Sequence, residues 1–197
     1  MGEVAAVVLA GGESRRMGVP KMTLPWGERT VVSQVVSVVS AAGVGEIIVV
    51  TGGSAASVRD ALAGEAVTLV HNAQYKDGEM LSSVRCGLSA AVHGQAEAAL
   101  IVLGDQPKIQ VDVERHLLRR WQETDAEIVM PSYQMRRGHP WLLTRSLWQE
   151  VLSIKAGETL RDFLNVHQGD IVYQVVENDS ILQDLDTPES YERQRPK

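Results

Sequence analysis

A glycine-rich segment near the beginning of the chain combines a flexible backbone with a concentration of positive charge. Residues 9–21 read LAGGESRRMGVPK and place Arg15, Arg16 and Lys21 within seven positions. Glycines allow the backbone to approach a ligand closely, and backbone amides at such a turn can bind phosphate oxygens. The segment therefore predicts a binding site for a phosphorylated ligand.

The order of residues in this segment excludes two common nucleotide-binding patterns. A Walker loop needs Lys between Gly and Ser or Thr, whereas Lys21 follows Pro20. The glycines do not match Gly-x-Gly-x-x-Gly either, which disfavours a dinucleotide-binding oxidoreductase. A surface turn with solvated charges is the alternative, but the apolar run before the glycines favours a ligand-binding loop.

Three aspartates are candidate metal ligands. Asp105 follows the most apolar run of the sequence, residues 98–103, and ligands in open parallel sheets bind beyond the carboxyl ends of strands. Because Mg²⁺ typically takes one or two carboxylates, we expect Asp105 to hold it; capping of the next helix is the alternative. Asp184 and Asp186 point to one face if extended, and they either complete the metal site or contact an acceptor. Asp186 has the alternative role of capping a helix that begins at Pro188.

The other reactive side chains show no spacing typical of a zinc site or a nucleophilic triad. His71, His93, His116 and His167 are isolated, and the single cysteine, Cys86, is expected to be a small core residue. His139 is either a ligand contact or a turn residue. The candidate groups are therefore cations and metal-binding carboxylates, which suit alignment and charge neutralisation on a phosphorylated ligand.

The composition is that of one globular domain, expected over residues 1–197. The net charge of −6 disfavours non-specific nucleic-acid binding, so an anionic ligand would need a locally basic site. One cysteine excludes an intrachain disulfide, and no apolar run approaches the roughly 18 residues that span a membrane. A cytoplasmic protein without a membrane partner is therefore expected.

Apolar runs at residues 4–9, 46–51, 67–70, 98–103 and 127–130 predict strands buried on both faces of a parallel sheet. Helical spacing predicts helices at residues 31–42, 81–92 and 112–124, the first capped by Thr30 and ended by Gly43. This alternation predicts a three-layer α/β sandwich with a mostly parallel sheet. After Pro131 the pattern changes. We expect added antiparallel strands there, with strands at residues 141–143 and 171–176, a helix at residues 159–166 and a terminal helix at Pro188 capped by Thr187.

Five segments, in the same order, resemble the motifs of the molybdenum cofactor nucleotidyltransferases, which are the cytidylyl- and guanylyltransferases acting on molybdopterin. The segments are residues 9–21, 72–80 (NAQYKDGEM), 103–107 (LGDQP), 137–140 (RGHP) and 184–189 (DLDTPE). Residues 155–161 (KAGETLR) depart from the family, since many members carry Gly-Asp-x-Gly there. The resemblance implies a Rossmann-like sandwich of the nucleotide-diphospho-sugar transferase kind and Mg²⁺-dependent nucleotidyl transfer with release of pyrophosphate.

The resemblance also implies roles for individual residues. Lys21, Arg16 and Asp105 would be catalytic, with Asp105 and Asp186 as metal ligands. His139, Asp184 and Asp186 would bind the acceptor. The residues that would bind the nucleotide are Leu9, Ala10, Gly11, Gly12, Arg16, Lys21, Asn72, Gly78 and Ser82.

The sequence motifs give conflicting indications of whether the nucleotide is CTP or GTP. Ala10-Gly11-Gly12 resembles the guanylyl-transferring branch, but Val19-Pro20-Lys21 lacks the Asp often found there, and three later motifs resemble the cytidylyl branch. We therefore expect transfer of CMP, with GMP as the alternative, and a client molybdoenzyme as a further partner. Two other functions stay open. They are transfer to a sugar phosphate or phospholactate, and a non-catalytic, cofactor-binding chaperone.

Overall fold

A mixed β-sheet with helices on both faces forms the centre of the molecule, in a computed structural model that describes residues 3–196. Met1, Gly2 and Lys197, which the expected domain of residues 1–197 includes, lie outside the described residues. The strands are β1 (Val4–Ala10), β2 (Pro25–Trp26), β3 (Arg29–Thr30), β4 (Glu46–Thr51), β5 (Thr68–His71), β6 (Ala98–Leu103), β7 (Ile128–Tyr133), β8 (Arg136–Arg137), β9 (Trp141–Thr144) and β10 (Ile171–Val175). The helices are α1 (Val31–Ala42), α2 (Ala55–Ala61), α3 (Glu79–Ala91), α4 (Val111–Thr124), α5 (Trp148–Ser153), α6 (Leu160–Val166) and α7 (Pro188–Gln194).

The strands of the main sheet lie in the order β10-β7-β9-β6-β1-β4-β5, and β8 pairs with the end of β7. β1 is parallel to both β4 and β6, β4 is parallel to β5, and β7 is parallel to β10. β9 lies between β6 and β7 and is antiparallel to both, as expected for the last third of the chain. All the parallel strands therefore run in one direction, and their carboxyl ends meet at one edge.

Two apolar clusters cover the two faces of the sheet. Successive side chains of β1 alternate between them: Ala6 and Val8 pack with α1, α2 and α4, while Ala5 and Val7 pack with α3, α5 and α6. A strand that is buried on both faces has no polar positions, which explains its continuous apolar run. The predicted three-layer α/β sandwich is confirmed.

Local signals set several helix boundaries. Thr30 accepts a hydrogen bond from the Ser33 amide at the start of α1, and Gly43 ends this helix in the left-handed conformation, with φ of 92°. Thr159 and Thr187 cap α6 and α7 in the same way. These caps agree with the sequence-based predictions.

No helix in residues 3–196 has both the length and the apolar character needed to cross a membrane.

Three predictions about the elements were wrong, and two short helices were missed. β5 lies at the edge of the sheet with partly exposed side chains, so it is not buried on both faces. β7 continues through Pro131 to Tyr133, whereas the predicted strand ended at residue 130. Its pairing with β9 ends at Val129, so proline, which has no amide hydrogen, does not interrupt the hydrogen bonds between these two strands. β10 is parallel to its neighbour, whereas an antiparallel strand was expected. Finally, the short helices α2 and α5 were not predicted, because they are stabilised by packing rather than by a long apolar period.

Candidate active site

The loops after three parallel strands pack directly against one another at the carboxyl edge of the sheet. A Cβ atom at Gly52, just after β4, would overlap the carbonyl oxygen of Gly11, just after β1. A Cβ atom at Gly104, after β6, would lie 2.8 Å from the carbonyl oxygen of Leu9. Glycine at these positions therefore allows the glycine-rich loop and the Asp105 loop to meet.

Lys21 lies at the centre of a charged network in this region. Its ammonium donates hydrogen bonds to Asp105 Oδ2 and, at 3.1 Å, to Asp186 Oδ1. Arg16 Nη2, which is exposed, donates to the other oxygen of Asp186 at 2.9 Å. Burial disfavours the charged form of Lys21, but the two carboxylates outweigh burial and raise its pKa. The Lys21 ammonium thus stays positively charged and links two of the predicted metal ligands.

Asp184 has a different environment from its neighbour Asp186. Gln106 is almost fully buried, and its Nε2 donates to Asp184 Oδ1 at 2.6 Å and to the carbonyl of Ile181 at 3.2 Å. Burial and the nearby charges of Asp105 and Asp186 raise the pKa of Asp184. By contrast, contacts with Lys21 and Arg16 overcome burial and lower the pKa of Asp186.

This donor set fits a hard divalent cation. The carboxylates of Asp105 and Asp186 already share one cationic group, the Lys21 ammonium, and carboxylate oxygens are the ligands that such ions prefer. Asp184 adds a third carboxylate to the wall of the same cavity, and a cation there would offset the negative charge that the three groups share. Asp105 and Asp186 are therefore the pair best placed to hold a metal ion.

A cavity of about 360 Å³ opens above this network. Most of the residues assigned to the site by resemblance line it, namely Leu9, Gly11, Gly12, Lys21, Asp105, Asp184 and Asp186. Other residues that line it are Met22, Tyr75, Glu79, Met80, Ser83 and Leu103. Ala10 does not: its side chain is buried in the core.

Gly78 and Ser82 lie at the start of α3, beside this cavity, and Asn72, which directly follows β5, contacts this part of the helix. Asn72 is buried, and its Nδ2 donates to Ser82 Oγ at 2.8 Å and to Ser83 Oγ at 3.1 Å. Asn72 therefore positions the first turn of α3 and does not itself line the cavity. Gly78 and Ser82 line an adjacent cavity of about 760 Å³, whose far wall is the segment of residues 155–161.

His139 lies in a third cavity, of about 510 Å³, together with Arg137, Trp141 and Arg161. Its Nε2 atom is buried without a hydrogen-bond partner among residues 3–196, and burial lowers the pKa of His139 to about 4. The imidazole is therefore neutral at physiological pH. Met80 lines all three cavities, so they adjoin at the start of α3.

Sequence reasoning missed two contributions to this region. Gln106 was noted only as part of a motif, yet it holds Asp184, a contact across 78 positions that no local pattern signals. Arg161 was noted only within a departure from the family motifs, yet it lines both larger cavities. A cation inside an otherwise divergent motif was the available signal for Arg161.

Comparison with known proteins gives consistent results. The sequence profile of the MobA-like NTP transferase domain matches residues 6–172. The molybdenum cofactor cytidylyltransferase of Escherichia coli K12 is 28% identical over 193 residues, which cover 97% of this chain and 95% of that protein. The probable molybdenum cofactor guanylyltransferase of Mycobacterium ulcerans Agy99 is 35% identical over 136 residues, which cover 65% of this chain and only 61% of that protein.

The structural comparison extends over nearly the whole chain. The crystal structure of Rv0371c from Mycobacterium tuberculosis H37Rv in complex with manganese has a TM-score of 0.80 and 27% identity, covering 97% of both chains. The architecture is that of the nucleotide-diphospho-sugar transferase fold. The fold implied by the sequence motifs is thereby confirmed.

Proposed function

The chain belongs to the MobA-like NTP transferase family and is a nucleotidyltransferase, and we propose that it transfers the CMP group of CTP to a molybdopterin cofactor and releases pyrophosphate. The observation that carries this proposal is the contact of the Lys21 ammonium with both Asp105 and Asp186 in the wall of the cavity that the glycine-rich loop lines. A phosphate-binding loop, a cation and two metal-binding carboxylates in one cavity are the groups that nucleotidyl transfer requires.

Different residues of the site contact the phosphates and the metal ion in this proposal. Backbone amides of Gly11 and Gly12 approach the phosphates, while Lys21 and Arg16 exchange their carboxylate partners for phosphate oxygens. Asp105 and Asp186, freed from these cations, would hold Mg²⁺. When bound, the ion neutralises charge on the phosphates of the nucleotide. Because the acceptor phosphate is already anionic, no residue has to act as a strong base.

The cavity around His139 has the chemistry expected of an acceptor site. The guanidinium groups of Arg137 and Arg161 make no ion pair or side-chain hydrogen bond within residues 3–196, so they are available to the phosphate of an anionic ligand. The neutral imidazole of His139 and the ring of Trp141 offer a hydrogen-bonding group and an apolar wall to a planar ring system. Asp184 and Asp186 line the cavity next to the charged network, and we propose that they contact the acceptor from there.

The proposed preference for CTP rests on the sequence motifs and on the length over which this chain aligns with its cytidylyltransferase and guanylyltransferase relatives. The Escherichia coli cytidylyltransferase aligns over nearly its whole length, whereas the guanylyltransferase aligns over 61% of its length. Gly11 leaves space that alanine would reduce, since a Cβ atom there would lie 3.2 Å from Ser83 Oγ. We therefore propose CTP as the preferred substrate and GTP as a poorer but detectable one.

Transfer to molybdopterin, measured in parallel with CTP, GTP, ATP and UTP and excess Mg²⁺, tests this function. We expect pyrophosphate and a cytosine dinucleotide, ready for a client molybdoenzyme. A clear GTP preference would change the base assignment and leave the acceptor unchanged. Transfer to a sugar phosphate or phospholactate, but not to molybdopterin, would replace the acceptor. Binding of molybdopterin without any pyrophosphate release would identify a chaperone.

A further inference from the structure

A second group of metal-ligating side chains lies at the opposite edge of the sheet from the candidate active site. Glu127 immediately precedes β7 and Asp170 immediately precedes β10, two parallel strands in which Ile128 pairs with Ile171. Adjacent amino-terminal ends of parallel strands place these two carboxylates side by side. They are therefore remote from Asp105 and Asp186, which follow or adjoin the carboxyl ends of the strands.

His167 completes this group. Its Nδ1 atom is 2.9 Å from Asp170 Oδ2, and the ligand atoms of Glu127, His167 and Asp170 all lie within 4.8 Å of one another. The side chain of His167 is only 12% exposed, and its ring packs on that of Phe163, with 4.6 Å between the centroids. The imidazole is thus fixed in position beside two carboxylates.

Two further residues orient these groups. Glu150 Oε1 is 2.9 Å from Nε2 of His167, so it can accept the ring N–H and leave the Nδ1 lone pair directed at Asp170 and Glu127. Ser146 Oγ donates to Glu127 Oε1 at 3.1 Å. Metal-binding histidines usually donate their second ring nitrogen to a carboxylate in this way, and such supporting contacts fix both the tautomer and the ring orientation.

We propose that Glu127, His167 and Asp170 form a Zn²⁺ site. One imidazole nitrogen and two carboxylate oxygens suit zinc, whereas Mg²⁺ and Ca²⁺ prefer oxygen ligands alone. A water molecule would supply the fourth ligand of a tetrahedral ion. The charge also favours a cation, because three carboxylates, including Glu150, surround one imidazole.

The site joins three parts of the fold. β10 is the edge strand of the main sheet, and Glu127 and Asp170 belong to the segments that lead into β7 and β10. His167 directly follows α6 as its C-terminal cap. A bound ion would therefore hold the edge strand and this helix against the sheet and raise the thermal stability of the protein.

Zinc titration of the chelator-treated protein, followed by calorimetry and by the melting temperature, tests the proposal. Excess Mg²⁺ in every sample competes with zinc for the active-site carboxylates, which Lys21 already contacts. We expect the wild type to bind one Zn²⁺ at this site and to melt at a higher temperature with it. Glu127→Gln and Asp170→Asn should each weaken binding by about tenfold or more and remove the thermal shift. Glu123→Gln, which changes an exposed carboxylate nearby on α4, should behave as the wild type.

The Glu127→Gln variant distinguishes the zinc site from an alternative arrangement. In that alternative, a protonated His167 pairs with Asp170 and Glu150, and no ion binds. That variant keeps both His167 contacts and loses only a metal ligand. Equal zinc binding by the wild type and Glu127→Gln would overturn the proposal, as would the absence of zinc binding by the wild type. Neither result depends on nucleotidyl transfer.

Discussion

The backbone amide of Leu185 donates a hydrogen bond of 3.0 Å to the carbonyl oxygen of Asp105. This bond holds the acidic segment of residues 184–186 against the loop that follows β6. The side chains on either side of Leu185 then face different partners, Gln106 for Asp184 and Lys21 for Asp186. Two segments that are distant in sequence thereby form one charged surface at the edge of the sheet.

Asp105→Asn should abolish Mg²⁺-dependent pyrophosphate release, because the neutral amide lacks the negative charge that makes a carboxylate a strong ligand for a hard cation. The protein should remain folded by circular dichroism, since the Leu185 hydrogen bond involves only the backbone of residue 105. Asp112→Asn, at a largely exposed position in α4, is the matched control. Near-normal turnover in Asp105→Asn would contradict the metal-binding role.

Lys21→Met should weaken CTP binding or slow transfer by about tenfold or more. Charge-assisted hydrogen bonds contribute roughly 1.5–3 kcal/mol each, and about 1.4 kcal/mol is a factor of ten. Arg16→Gln should have an effect of similar size, whereas Arg15→Gln should not, because Arg15 contacts Glu13 and is exposed. Kinetics of the three variants side by side provide the measurement, and unchanged values for Lys21→Met would refute the phosphate-binding role.

Lys21→Met should nevertheless bind Mn²⁺ at least as well as the wild type when nucleotide is absent. In the wild type the ammonium of Lys21 contacts both proposed metal ligands and competes with the ion. Electron paramagnetic resonance of Mn²⁺ titrations measures this affinity directly. Weaker Mn²⁺ binding by Lys21→Met would show that Lys21 supports the metal site rather than competing for it.

Gly11→Ala should increase the preference for CTP over GTP. The added methyl group reduces the space in the cavity, and one methyl group in a pocket is worth about 1–3 kcal/mol of discrimination. Its Cβ atom would also lie 3.2 Å from Ser83 Oγ, so the double variant Gly11→Ala with Ser83→Ala serves as a control. If the preference disappears in the double variant, displacement of Ser83 rather than loss of space is responsible.

Glu114→Gln should remove a pH dependence of stability. Glu114 is fully buried in α4, neither carboxylate oxygen has a hydrogen-bond partner within residues 3–196, and burial raises its pKa from 4.5 to about 8. Between these values the unfolded chain loses the proton and the folded chain keeps it, so stability falls as pH rises from about 4.5 to about 8.

At pH 7 this loss amounts to about 3 kcal/mol, since each pKa unit corresponds to about 1.4 kcal/mol. The amide introduced by Glu114→Gln would resemble the protonated acid at every pH, so the variant and the wild type should differ little at pH 4.5 and diverge towards pH 8. Urea unfolding across this range checks the expectation. Parallel pH profiles for the two proteins would mean that Glu114 does not carry this dependence.

The sequence predicts much of the fold because the decisive signals are local. The bounds of β4, β6 and α1 agree with their apolar runs and caps, since burial on both faces and the Thr30 and Gly43 caps act within a few residues. The direction of β10 depends on which neighbour it meets, so no feature within the strand could reveal it. Short helices such as α5 are likewise stabilised by tertiary packing.

The same distinction applies to the sites. The glycine-rich loop and Asp105 were recognisable because each follows a strong apolar run. The Gln106–Asp184 contact was not recognisable, and His167 appeared isolated because its carboxylate Glu127 lies 40 positions earlier in the chain. Metal ligands from separate segments come together only when the strands next to them pair in the folded sheet.

The contact between Lys21 and Asp186 spans 165 positions. Contacts of such long range form slowly, because closing a large loop costs chain entropy before the contact offers any stabilisation. During synthesis the glycine-rich loop leaves the ribosome long before Asp186 is added, so Lys21 of a nascent chain lacks one of its two carboxylate partners. The complete charged network should consequently form abruptly, when the final segment docks, rather than grow with the length of the chain.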